Sequence, residues 1–391
     1  MKEDVFVEQP QGFKVEEESN KVYKLKKALY GLKQAPRAWY SRIEGYFIKE
    51  GFEKCYCEHT LFVKQERSDV LVVSVYVDDL IYTGSSMDMI EKFKTSMMEE
   101  FSMTDLGRMK YFLGVEVIQD ETGIFINQRK YAAEILKTYG MEDCNPVKNP
   151  IVPGQKLTKE GAGELVDSTK YKQLIGSLRY LTTTRPDLIY SVNLVSRYME
   201  SPTELHMLAV KRILRYVKGT QGYGIQYKRG RVAELVGFVD SDYAGDVDDR
   251  KSTSGFVFML GGGAIAWASK KQPIVTLSTT EAEFVSAAFG ACEAIWLRNV
   301  LEEIGCRQEE GTLVFCDNSS TIKLSRNPVL HGRSKHIHVR YHFLRELVKE
   351  GTIRLDYCAT ADQIADIMTK AVKRDVFEDL RERMGVRIRE E

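Results

Sequence analysis

The chain has 391 residues, more than one typical domain, and its 43% apolar content is ample for two or three cores. With 56 basic and 56 acidic residues it carries no formal net charge, which excludes a uniformly basic coat for nucleic acid. Seven cysteines outside any paired framework exclude a disulfide scaffold and indicate a reducing compartment, while the lack of a long apolar run or signal-like amino terminus predicts a soluble chain, cytoplasmic or nuclear, with no membrane partner.

Residues 1–142 mix strands and helices. The spacing predicts one helix over 35–50, with Pro36 in its first turn and Gly51 as its stop, and another over 87–101. Between them, the run from Val70 to Val77 is too β-branched for a helix, and Leu80 to Thr83 and Gly84 follow. Asp78 and Asp79 therefore fall at the tip of a hairpin. Two like charges this close resist joint ionisation, and a divalent cation removes the conflict; a solvated Asp-Asp turn explains the tetrapeptide equally well. Cys55, Cys57 and His59 lack a second ligand pair nearby and read as incidental thiols rather than a metal site. A hairpin is expected over 111–128, turning at 120–123.

Prolines and glycines mark 143–163 as a linker, and 143–232 as a whole reads as linker and helical connection. Helix is expected over 168–220, with Ser201 and Glu204 as a capping box around Pro202 and Gly219 as the stop. Lys211, Arg212, Arg215 and Lys218 open a stretch without acids that lasts to Glu234, after which Asp240, Asp242, Asp246, Asp248 and Asp249 follow closely. A basic face beside an acidic pocket suits a polyanion held near metal ions. The plainer alternative is a solvated face of an amphipathic helix.

From 233 to 391 the order sharpens. Strands over 235–240, 255–260 and 264–269 precede a helix over 280–304; strand 312–316, a short helix, a helix over 339–349, strand 352–357 and a helix starting near 361 complete it. That order implies an α/β layer fold with helices on a mixed sheet. Asp240 ends the first strand, Glu283 lies in the first turn of the long helix, Asp317 ends the fourth strand and Asp366 lies on the final helix. Four carboxylates thus converge on one side of the sheet, a crowding that two hard divalent ions would relieve. Two such ions also support in-line phosphoryl displacement. Singly, Asp240 reads as a turn starter, Glu283 as a helix cap and Asp366 as a surface acid; their shared placement favours chemistry.

These residues lie in strings that resemble a known family. They are VFVEQPQGF from Val5, ALYGLKQAPRAWY from Ala28, YVDDLIYTG from Tyr76, DLGRMKYFLGVEV from Asp105 and IGSLRYLTTTRPDL from Ile175. Further along come DSDYAGDVDDRKSTSGFVF from Asp240, STTEAEF from Ser278, CDNSSTIKLS from Cys316, SKHIHVRYHF from Ser334 and ADQIADIMTK from Ala361. End to end, the chain resembles the carboxy-terminal portion of a Ty1/copia-type retrotransposon Pol polyprotein. The resemblance implies an α/β (α+β) chain: a partial reverse transcriptase palm and thumb over 1–142, a connection over 143–232, and a ribonuclease H-like mixed-sheet domain over 233–391.

By the same resemblance, Asp78 and Asp79 are the polymerase metal pair, and Gly31, Gln34 and Pro36, with Ala35, line the nucleotide and template site. Asp240, Glu283, Asp317 and Asp366 are the ribonuclease H carboxylates, holding Mg²⁺ or Mn²⁺ to cut RNA in an RNA–DNA hybrid. Lys211, Arg212, Arg215 and Lys218 grip phosphates without reading sequence. The family's further palm Asp belongs to a stretch resembling DVKTAFLNG, expected upstream of Met1; the sequence contains no such stretch, and Asp4 falls after it. The expectation is therefore a hybrid-cutting ribonuclease without primer extension, with a silent nucleic-acid-binding remnant as the alternative. His331, His336, His338 and His342 crowd together; their spacing matches no common structural zinc pattern, so a zinc site is the lesser reading beside a role near phosphate or hybrid and a surface helix entry. No His lies between Tyr357 and Asp366, where many cellular ribonucleases H carry one.

Overall fold

The β-branched run at Val70 forms the strand Asp69–Tyr76, which pairs antiparallel with Leu61–Glu66 on one side and Asp79–Gly84 on the other. Its alternation buries Leu71, Val73 and Val75 against Ile43 and Phe47 of the helix Ala35–Lys49 and Phe93 of the helix Met87–Glu100. Phe47 lies 4.8 Å from Phe62 and 5.3 Å from Phe52, ring to ring, so this core is largely aromatic. Each such side chain, fully buried, contributes about 1.5–3 kcal/mol. Pro36 stands in the first turn of its helix, and Gly51, at φ 83°, ends it as expected.

The computed structural model describes residues 4–14, 20–231, 233–326 and 338–389. They fall into two units, Met1–Asp105 with Asn299–Arg307 and Leu106–Arg298 with Gln308–Glu391. This division lies elsewhere than the expected limits at 142 and 233. The reason is pairing distant in sequence. Gly123–Asn127 pairs with Tyr223–Lys228, which in turn pairs with Val386–Ile388. One five-stranded sheet of the second unit therefore draws on all three expected segments.

The other sheet of that unit has the order Gly263–Lys271, Thr253–Leu260, Val236–Ser241, Thr312–Cys316, Ile353–Tyr357. The first three strands are antiparallel, and the last two run parallel to Val236–Ser241. This is the expected mixed sheet. The helix Thr279–Glu303 meets the length and composition of a membrane span, contrary to expectation. It buries Ala282, Phe284, Ala287, Ala291 and Ala294, as a core helix does. Gly290 lets it approach the central strand: a Cβ there would meet Val239 Cγ1 at 2.4 Å.

A buried ion pair organises the helices of the second unit. Arg185 donates from Nε to Asp187 Oδ1 at 2.9 Å and from Nη2 to Oδ2 at 2.7 Å. It also donates to the Thr220 carbonyl, and Tyr216 donates its hydroxyl to Asp187 at 2.7 Å. Arg381 closes the network by donating to the Tyr216 hydroxyl at 3.1 Å. Burial would raise the Asp187 carboxyl, but Arg185 more than offsets it and holds it below the usual range.

Three local expectations change, and the helical stretch 168–220 is divided. The span 111–128 carries a second reversal at Leu113 and Gly114, both at positive φ, between Tyr111–Phe112 and Val115–Asp120. The stretch 168–220 is helical as expected, in three helices, Ser168–Leu181, Ile189–Ser196 and Glu204–Gly219, with a separate 3₁₀ turn starting at Pro186 between the first two. The capping box moves two residues, to Thr203 and His206, since Thr203 is held extended in a bridge to Leu165. The final helix breaks into the 3₁₀ turn Thr360–Asp362, the short helix Asp366–Thr369 and Arg374–Arg383.

Removing one partner of a buried pair strands the other charge. Asp187→Ala should therefore cost about 3–5 kcal/mol in urea unfolding, and adding Arg185→Met should recover part of the loss. Coincident unfolding of wild type and Asp187→Ala would contradict this. His206 gives a pH signature. Its Nδ1 accepts from the Thr203 N–H at 3.0 Å and its Nε2 faces the Thr158 carbonyl at 2.9 Å, so the buried ring is assigned as neutral. Burial lowers its pKa below the ordinary value. The unfolded chain then binds the proton first, so stability is lost as pH falls from about 6.5 toward the folded pKa. Thermal melts of His206→Asn should show a shallower loss over that range.

Candidate active site

Register brings the first two carboxylates together. The parallel pairing of Val236–Ser241 with Thr312–Cys316 sets Phe238 against Phe315, so Asp240 and Asp317, each two residues on, leave the same end of neighbouring strands. Asp366 is the first residue of its short helix, which packs on the strand Thr253–Leu260 where Gly255 lies. A Cβ on Gly255 would meet Met368 Cβ at 2.5 Å, so the helix requires that glycine. Ligand oxygens of Asp240, Asp317 and Asp366 all lie within 4.8 Å of one another. Glu283, in the first turns of the long helix, falls within the same limit of Asp317 and the Cys316 thiol.

Neighbouring groups fix these side chains. Thr369 donates its hydroxyl to Asp240 Oδ2, and Ser286 donates to the Asp240 carbonyl at 2.6 Å. The Ser241 N–H donates to Glu283 Oε1 at 3.3 Å, and Thr360 donates to Asp317 Oδ2 at 3.1 Å. Asp366 Oδ1 is buried and faces the Lys370 ammonium, whose Nζ lies 2.8 Å away. Asp240, Glu283 and Asp366 are buried.

The crowding shows in the protonation energetics. Burial, then the charges of Asp240 and Asp317, pushes the Glu283 carboxyl up to about 10. Burial and then Asp240 push Asp366 up to about 7, with Lys370 acting in the opposite direction. Asp317 also rises, through burial and Asp240. All donors but the thiol are carboxylate oxygens, a set that fits hard divalent cations.

Other expected site residues lie elsewhere. Asp78 and Asp79 are exposed on the turn between Asp69–Tyr76 and Asp79–Gly84, where Val77 has φ 56° and its carbonyl accepts from the Trp39 indole. Among the described residues, they join no group of three candidate ligands. Gly31, at φ 93°, and Gln34 precede the helix in which Pro36 takes the first turn. Arg212 donates to Asn149 Oδ1 and Arg215 to the Asn145 carbonyl, so both anchor the 145–149 segment, whereas Lys211 is exposed and Lys218 half-buried.

Of the later acids, Asp246 pairs with Arg197 and Lys271, Asp249 pairs with Lys271, and Asp248 accepts from the Lys159 N–H. They staple a loop rather than join the cluster. His331 and His336 lie outside the described residues; His338 and His342 stand on the helix His338–Lys349. Sequence reasoning missed Lys370 and Thr369. The i,i+4 spacing of Asp366 and Lys370 was the available signal for the lysine.

A family described as reverse transcriptase (RNA-dependent DNA polymerase) matches residues 1–153. Over 98% of its length the chain is 41% identical to the retrovirus-related Pol polyprotein from transposon RE1 of Arabidopsis thaliana, and it spans 26% of that relative. It is 31% identical to the putative transposon Ty5-1 protein of Saccharomyces cerevisiae, over 74% of this chain and 94% of that one. Among solved structures it is similar to RNase H1 of Halobacterium salinarum, with 13% identity, a TM-score of 0.27, and coverage of 37% of this chain and 98% of the other.

Neutralising one member of the cluster should relieve repulsion. In chelator, Asp317→Asn is expected to raise the melting temperature by the equivalent of about 1 kcal/mol. Saturating Mg²⁺ should then stabilise the wild type more than the variant, as scanning calorimetry would show. A lower melting temperature for the variant in chelator would contradict the crowding account.

Proposed function

Because the chain belongs to the Ty1/copia-type retrotransposon Pol family, we propose that Asp240, Glu283, Asp317 and Asp366 form a divalent-cation centre that cuts the RNA strand of an RNA–DNA hybrid. The observation that carries this reading is the approach of Asp240, Asp317 and Asp366 oxygens within 4.8 Å of one another. Acids so close, two of them buried, are costly unless a cation joins them. Mg²⁺ or Mn²⁺ suits the oxygen donors, and among the described residues the four acids are paired with one cationic side chain, Lys370, which leaves negative charge for a further cation. When bound, such cations would supply water activation and stabilise the leaving oxygen of an in-line displacement.

The chain's own groups orient the ligands. Thr369 and Ser286 fix Asp240, the Ser241 N–H aims Glu283, and Thr360 holds Asp317. Nucleic acid is the proposed partner. Lys211 and Lys218 would meet phosphates without reading bases, while Arg212 and Arg215 hold the adjoining 145–149 segment through Asn149 and Asn145.

The polymerase assignment is narrower. Among the described residues, Asp78 and Asp79 join no group of three His, Cys, Asp or Glu ligands, and Gly31, Gln34 and Pro36 add no carboxylate. Two carboxylates alone leave a cation poorly positioned for nucleotide transfer. The 391-residue polypeptide, assayed by itself, is therefore proposed to be inactive as a polymerase.

A labelled RNA–DNA hybrid incubated with Mg²⁺ should be cut by the wild type, and Asp240→Asn should reduce cutting to background. Binding by both without cutting would favour a silent nucleic-acid-binding remnant. A primed template with deoxynucleotides should remain unextended; robust Mg²⁺-dependent extension would overturn the polymerase proposal.

A further inference from the structure

The carboxylate cluster already contains a cation that the chain supplies. Lys370 Nζ lies 2.8 Å from Asp366 Oδ1 and 3.7 Å from Asp240 Oδ2. Among the described residues, it is the one cationic side chain paired with any of the four carboxylates. An exposed i,i+4 pair is ordinarily worth little. Here the partners are only 2% and 7% exposed, and Asp240 comes from a strand remote in sequence, so the ammonium bridges two separately placed elements.

The lysine is nonetheless able to leave. Its side chain is 39% exposed, and its backbone N–H is held by the Asp366 carbonyl at 3.1 Å. The stem is thus anchored where the short helix ends, while the head group borders solvent. A compact, strongly hydrated charge on a flexible stem can withdraw without disturbing the backbone. A divalent ion that binds Asp240 and Asp366 needs the oxygens that the ammonium faces. Two cations a few ångströms apart repel, so one excludes the other.

We propose that Lys370 is an internal counter-ion that competes with divalent cations for Asp240 and Asp366, holding the cluster together when they are absent and swinging out when they bind. It acts as a positioning residue, and it lowers metal affinity below what the carboxylates alone would give. This inference rests on reading the cluster as a cation centre.

The test is a calorimetric Mn²⁺ titration of metal-free wild type, Lys370→Ala, Lys370→Gln and Lys370→Arg, paired with thermal melts in chelator and in saturating Mn²⁺. Loss of the ammonium should tighten Mn²⁺ binding by about tenfold or more. It should also lower the chelator melting temperature and enlarge the gain on adding Mn²⁺. Lys370→Arg, which keeps the charge, should bind much as wild type does. Lys370→Gln keeps the chain length and provides the comparison if Lys370→Ala folds poorly without metal. Unchanged or weaker binding in both neutral variants overturns the competition. Absence of Mn²⁺ binding by wild type, with Asp240→Asn indistinguishable from it, overturns the cation centre itself and the competition with it.

Discussion

Parallel pairing between Val236–Ser241 and Thr312–Cys316 is the constraint on which the candidate site depends. Antiparallel neighbours would send Asp240 and Asp317 to opposite ends of the sheet. Parallel neighbours need a long crossover, and the helix Thr279–Glu303 lies in that connection, with Glu283 carried in its first turns. The same geometry therefore supplies three acids at one edge. The fourth, Asp366, reaches them because Gly255 leaves room for its short helix.

The second unit buries charge in two ways. Around Arg185 the buried acid is fully matched: Asp187 accepts a fork of hydrogen bonds from Arg185 and another from the Tyr216 hydroxyl, with Arg381 behind that hydroxyl. Asp246 is treated similarly by Arg197 and Lys271. The Asp240 cluster has four acids and one lysine. Asp187 and Asp246 have at least one cation each, whereas the Asp240 cluster leaves negative charge over, an imbalance that distinguishes it from the structural ion pairs.

Much of this was legible in the sequence. The β-branched run before Asp78, the order of strands after 233 and the strand-end placement of Asp240 and Asp317 follow from periodicity and punctuation. The unit boundary at Asp105 does not, because the pairing of Gly123–Asn127 with Tyr223–Lys228 has no local signature. The shifted capping box was hidden for a related reason: a bridge to Leu165 decides where the helix starts, and Ser201 and Glu204 have no access to that information. The roles of Arg212 and Arg215 were ambiguous, since a basic residue that tethers a loop and one that meets phosphate look alike in sequence.

The pairing of Val386–Ile388 with Tyr223–Lys228 has a consequence for biogenesis. During synthesis, the strands at 115–127 and 223–228 emerge long before their last neighbour is made. Until residue 388 clears the ribosome, Tyr223–Lys228 presents an unfilled edge, while Val386 and Met384, both fully buried in the finished unit, are missing from its core. The nascent unit is thus obliged to remain open through the translation of some 160 further residues, an interval in which chaperone capture and misassembly compete with folding.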